Sequence, residues 1–183
     1  NANIWAVNQL FNGLVEMDDS LNVQSSIAKT WTTDSLGLNY RFYLRNDVYF
    51  HKHQLFGKDS TRLVTAQDFV YSFGRLTDPK VASPGSWVMQ KVKHIKVVND
   101  SVLNIELHQP FPAFLGLLTM KYCSVVPKEA VDFFGAGFRS HPIGTGPFQF
   151  KRWEENIKLV FRKNHNYFEV DNDGKPLPYL EAV

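Results

Sequence analysis

Apolar side chains in the first fourteen residues fall at helical spacing. Ile4, Val7, Phe11 and Leu14 line one face, so the opening stretch predicts a short amphipathic helix that closes near Gly13. "LVEM" reads as a strand. In "LNYRFYLR" the period changes to two: Tyr40, Phe42 and Leu44 share one face, and Arg41, Tyr43 and Arg45 share the other. "VYFH", after a turn at Asn46-Asp47, continues that sheet. "TAQDFVYSFGRLTDP" carries the clearest helix, with Thr65 as N-cap, Asp68 three residues on, and Phe69, Val70 and Phe73 facing inward. Asp78-Pro79 ends it. "HIKVVND" and "SVLNIELH" form a hairpin about Asn99-Asp100.

Further along, "FPAFLGLL" predicts a short apolar helix and "CSVV" a short buried strand. "PKEAVDFFG" is a helix with Pro in its first turn and Gly at its end. "FQFKRW" and "IKLVFRK" are strands around the turn Glu154-Glu155-Asn156, and "NDGKPLP" is a turn-rich connector. Hairpins with intervening helices place the chain in the α+β, mixed α/β class.

Composition narrows the function. A net charge of +2 with scattered basic residues lacks the Lys/Arg stripe that nucleic acid requires. One cysteine, Cys123, excludes an internal disulfide and any multi-cysteine metal site. The longest apolar run, "AFLGLLTM", is too short to cross a bilayer. Aromatic residues reach 14%, enough to build a core and also to wall a ligand cleft. The chain opens without an initiator Met and stops at "PYLEAV", where an apolar pattern is beginning; the expectation is a piece of a longer polypeptide.

Several stretches invite chemistry. "HPIGTGPFQF" lacks the Lys-Ser/Thr of a phosphate loop and the third glycine of a dinucleotide fingerprint. Pro147 also removes a backbone N–H there, so the stretch reads as a tight corner leading into a strand. His51 and His53 would share one face of a strand, yet two imidazoles are short of the three or four ligands zinc takes. "EVDNDG" places Leu180 where a calcium loop needs its bidentate Glu, so it reads as a solvated turn. Cys123 in "KYCSVV" is either a packed side chain or, with a histidine as base, a nucleophile. Trp87, just past the Ser83-Pro84-Gly85 loop, is either a core plug or a ligand platform.

The order of "VYFHKHQLF", "VTAQDFVYSFGRLTDP", "LNIELHQPFPAFLGLL", "VVPKEAV" and "PIGTGPFQFKRW" resembles the bacterial extracellular solute-binding proteins of family 5. "SSIAKTW" and "NYF…PLPYLEAV" fit the same pattern. The resemblance implies a fragment of the first lobe of a type II periplasmic-binding-protein-like fold. About 18–143 would be an extra subdomain, 1–17 and 144–183 main-lobe segments, and the second lobe would be absent. It further implies a non-enzymatic, cofactor-free and metal-free component of an ABC importer. Such a component captures oligopeptides or dipeptides by clamshell closure and hands them to membrane permease subunits. It would be monomeric and extracytoplasmic, either periplasmic or lipid-anchored.

Residues carried over by position are Asn1 and Asn3 on a strand edge beside the ligand, and Trp87 as the aromatic after "DP". Tyr122 and Cys123 follow on the strand before "VVP", and Thr145 lies in the corner where the chain re-enters the main lobe. Nickel-binding relatives place an arginine near "VVP"; Met120-Lys121-Tyr122-Cys123 stands there instead, which speaks against nickel.

Overall fold

A computed structural model describes residues 2–155 and 157–183, with the side chains of residues 2 and 3 outside the description. Its elements run α1 (Ala2–Leu10), β1 (Val15–Met17), β2 (Val23–Ser25), β3 (Ala28–Thr33), β4 (Asn39–Leu44), α2 (Ala66–Thr77), α3 (Ser86–Met89), β5 (Val92–Asn99), β6 (Val102–Leu107), α4 (Phe114–Leu118), α5 (Lys128–Phe134), β7 (Phe148–Glu154) and β8 (Lys158–Lys163). They group into two compact units. One comprises Asn1–Phe11, Asp47–Val64 and Val126–Val183, the other Asn12–Asn46 and Thr65–Val125. Compactness thus joins 47–64 and 126–143 to the terminal stretches, at other points than the 18 and 143 boundaries.

The second unit is built on a four-stranded antiparallel sheet of order β3-β4-β6-β5. Alternation in β4 does what it predicts: Tyr40, Phe42 and Leu44 are buried, while Arg41 is exposed. Across the ladder Tyr40 pairs with Ile105 and Phe42 with Leu103, so both strands send apolar rows to one face. Phe114 of α4 covers part of that face, its ring 5.1 Å from that of Tyr40. α2 packs beside β5 and buries Phe69, Phe73 and Leu76. Its first turn is fixed by a capping box in which the Thr65 N–H donates to Asp68 Oδ2 at 2.8 Å.

The first unit packs α1 against β7 of the β7–β8 hairpin. Ala6, Leu10, Phe11, Phe148 and Phe161 form its buried cluster. The segment at 181–183 adds to β8, with the Phe161 N–H on the Val183 carbonyl at 2.8 Å and the reverse bond at 3.2 Å.

Three expectations change. Ile4 is 58% exposed, so the predicted face begins at Val7, which packs on the buried cluster, and runs on through the buried Phe11 and Leu14, with Ala6 and Leu10 turned inward beside them. "VYFH" does not continue the sheet: Tyr49 makes an isolated bridge to Leu63, and the Phe50 N–H bonds the Arg62 carbonyl. "CSVV" is not a strand either. Lys121–Cys123 form a 3-10 turn, and the following chain reaches its neighbour by a bond from the Val125 N–H to the Asn12 carbonyl.

Asp68→Ala should cost about 1–2 kcal/mol by stripping the cap from α2. Phe69→Ala, which empties a fully buried site, should cost about 3–5 kcal/mol. Denaturant titration of the chain checks both, the second change exceeding the first.

Candidate functional site

Two surfaces hold the residues singled out from the sequence, one in each unit. In the second unit, α3 alternates between anchoring and display. Val88 and Met89 are buried, while Trp87 is 41% exposed. The core-plug reading of Trp87 therefore gives way to a surface ring, with Val88 filling the interior. The turn before it is closed by the Gly85 N–H donating to Ser83 Oγ at 3.2 Å. Tyr122 lies on the backbone of Gly85: a Cβ built there would sit 2.5 Å from the Tyr122 Cγ. Only glycine lets the ring settle so close. Tyr122, itself 44% exposed, is thus held against a glycine two positions before Trp87.

Cys123 points the other way. It is fully buried, its Sγ 3.6 Å from the Leu117 carbonyl, and burial pushes its thiol up to about 12. A thiolate is the nucleophile, and this thiol does not form one near neutrality. The nucleophile reading fails on that ground, and Cys123 serves as an anchor beneath Tyr122.

In the first unit the Gly144-Thr145-Gly146 corner is a backbone-on-backbone contact. A Cβ on Gly144 would stand 2.0 Å from the Leu10 carbonyl oxygen, and one on Gly146 would stand 2.4 Å from that of Gln9. The Gly146 N–H donates to the Leu10 carbonyl at 2.9 Å, satisfying an acceptor at the end of α1. Pro147 then leads into β7, as expected. Thr145 between the glycines is 1% exposed. Asn3 stands in the first turn of α1 rather than on a strand edge, and its side chain, like Asn1 as a whole, lies outside the described residues.

The two histidines do not share a face, because the segment carrying them is not a strand. His51 is buried against the glycine corner: the Gly144 N–H donates to Nδ1 at 3.2 Å, and Nε2 lies 3.0 Å from the Gly146 carbonyl oxygen. His53 caps the 3-10 helix Gln54–Asp59, accepting from the Leu55 N–H at 3.2 Å, and sets its ring edge against Phe134 at 5.6 Å. The "EVDNDG" turn closes on itself. Asp171 Oδ1 accepts from the N–H groups of Asp173 and Lys175 at 2.9 and 2.8 Å, and the Tyr179 hydroxyl bonds the same carboxylate. That hydroxyl, with these amides, holds the Asp171 carboxyl below its usual range.

Two features were missed from the sequence. Arg62 makes a two-point ion pair with Glu129 at 2.7 and 2.8 Å, with its guanidinium 4.9 Å from the centre of the Phe50 ring. An apolar cavity of about 390 Å³ opens between α1 and the hairpin, lined among others by Val7, Phe11, Phe150, Trp153 and Phe161. A register shift between Phe150 and Arg152 lets Phe150 and Trp153, three apart, line the same cavity. Strict alternation in "FQFKRW" hides that.

The mixed sheet-and-helix scaffold, with the exposed Tyr122 ring seated on Gly85, defines a fold class that comparison makes specific. The family model of the bacterial extracellular solute-binding proteins, family 5 Middle, matches residues 22–183, and the chain belongs to that family. It is 34% identical to the probable di/tripeptide-binding protein 5 of Pseudomonas aeruginosa, over 91% of this chain and 34% of that protein. It is 29% identical to the dipeptide-binding protein of Escherichia coli, over 87% of this chain and 32% of that protein. Among solved structures it resembles the periplasmic binding protein DppA from Helicobacter pylori in complex with peptide STSA. There the TM-score is 0.81 and the identity 27%, covering 96% of this chain and 36% of that one. The chain spans about a third of the length of the curated relatives it matches. No helix among the described residues is long and apolar enough to cross a membrane.

Gly144→Ala should destabilise the chain by at least about 3 kcal/mol, since its Cβ meets an immovable carbonyl. Gly137→Ala, whose Cβ has nothing within 4 Å, should stay within about 0.5 kcal/mol; thermal melts of the pair check this. Cys123 should resist alkylation at pH 7.5 until the chain is denatured, and rapid labelling of the folded chain would contradict its burial.

Proposed function

We propose that this chain is part of the substrate-binding component of a bacterial ABC importer that captures short peptides and delivers them to membrane permease subunits. The observation that carries the reading is the coincidence, over nearly the whole chain, of the family match with the structural likeness to a binding protein in complex with a peptide. The division into an extra subdomain at about 18–143 and main-lobe segments at 1–17 and 144–183 belongs to the same proposal. So do closure of a second lobe over the ligand, a monomeric state, and a place outside the cytoplasmic membrane, periplasmic or lipid-anchored.

Trp87 and Tyr122 are the proposed ligand-facing residues of the second unit. Their rings offer apolar area at low entropic cost, and Tyr122 is already fixed on Gly85. Cys123 holds that surface from beneath. In the first unit Asn1, Asn3 and the backbone at Thr145 are proposed contacts. Main-chain bonding suits a peptide carrier, because every peptide presents the same backbone.

Calorimetry of the full-length protein with mixed di- to tetrapeptides should show saturable binding. Trp87→Ala should weaken it roughly tenfold, as loss of an aromatic contact worth about 1–2 kcal/mol does, while Trp153→Ala leaves it unchanged. Absence of heat and of any thermal shift with these peptides would overturn the peptide reading.

A further inference from the structure

Four stretches distant in sequence meet around one imidazole. His51 donates its own N–H to the Gly144 carbonyl at 2.8 Å, and its ring takes the Gly144 N–H at Nδ1. Nε2 faces the Gly146 carbonyl, which also accepts from Asn164 Nδ2 at 2.9 Å. The same corner binds the end of α1 through the Gly146 N–H and the Leu10 carbonyl. With Nδ1 accepting and Nε2–H donating, both ring nitrogens are satisfied in one tautomer only, and that tautomer is neutral.

We propose that His51 is a positioning residue. Its neutral, Nε2-protonated ring fixes the Gly144-Thr145-Gly146 corner against the end of α1, and the corner is released when the ring takes up a proton. A protonated ring has donors only, so Nδ1–H would confront the Gly144 N–H inside a buried site. The groups set against the ring are backbone amides and the uncharged Asn164, and the last turn of α1 beside the corner is uncharged as well. Burial holds the imidazole down at about 4, against an ordinary 6.5, with the Gly146 carbonyl pulling weakly the other way.

The sign follows from proton counting. Between these two values the unfolded chain binds the proton and the folded chain does not, so stability falls as pH falls. The contribution is complete above about pH 7.5 and is lost on the way down to about pH 4. At pH 5 it amounts to a roughly 30-fold loss in the folding equilibrium constant relative to pH 7.5. Carboxylates held low by their partners, such as Glu129 beside Arg62, lose their contribution as pH falls through the usual carboxylate range, below the interval from pH 7.5 to 5 that the test compares.

The test compares the wild-type chain with His51→Gln, whose amide offers one donor and one acceptor but no titration. Denaturant titrations at pH 7.5 and 5 should show the wild type losing roughly 30-fold more than H51Q over that interval. Long-range proton–nitrogen NMR should show the Nε2–H tautomer of His51 unchanged down to pH 5. Equal losses in the two proteins would overturn the proposal, as would a His51 midpoint near 6.5 in the folded chain. Should H51Q fail to fold, the NMR midpoint decides alone: below 5 supports the pin, and 6–7 removes it. The proposal is independent of the ligand, so peptide binding can fail without touching it.

Discussion

Backbone pressed on backbone without intervening side chains is the constraint around which the first unit is arranged. At Gly144 and Gly146 the chain runs so close to the carbonyls of Gln9 and Leu10 that not even a methyl group fits. Such contact brings an N–H of one segment to a carbonyl at a helix end, where acceptors otherwise go unsatisfied. It also fixes the entry of β7, since Pro147 follows immediately and Phe148 then reaches the buried cluster with Leu10 and Phe11. Helix, corner and hairpin are therefore set by one another, and a slip at the corner would misplace the aromatic core behind it.

The second unit uses glycine for a different end. At Gly85 the missing side chain makes room for the face of Tyr122 and leaves half of that residue at the surface. Beneath this surface, Val88, Met89 and Cys123 are withdrawn from water. Exposed rings over a fully packed base are costly to leave wet and cheap to cover, which is the thermodynamic condition for a surface that accepts a ligand. The thiol below takes no part in chemistry, because the burial that makes it a good anchor also keeps it protonated.

Legibility in the sequence followed the range of each interaction. α2 and β4 could be read because cap, period and buried face all lie within a dozen residues. The glycine corner was legible as geometry, from Pro147 and the missing phosphate-loop residues, although its partner at the end of α1 was not. His51 could not be read, since its two ring partners lie 93 and 95 residues away. A paired-histidine face required a strand, and that segment finds only a single bridge at Tyr49. The cavity beside α1 was hidden by a one-residue register shift in β7, which alternation does not reveal. For Trp87 the sequence left core and surface open, and the buried neighbours Val88 and Met89 decided between them.

Glycine, histidine and cysteine, the residue types most readily taken for signs of catalysis, here do mechanical work. Two glycines admit a backbone, a third admits a ring, an imidazole spans two amides, and a thiol fills space. In each case the feature that excludes water also removes reactivity: the imidazole is held uncharged and the thiol protonated over the physiological range. Binding without chemistry asks for such an interior. A carrier must present the same rigid surface at every encounter and leave the solute intact, so polar groups are best committed to one another and kept from the ligand. On the proposed reading, the exposed rings of Trp87 and Tyr122 supply contact area that discriminates little between one short peptide and another.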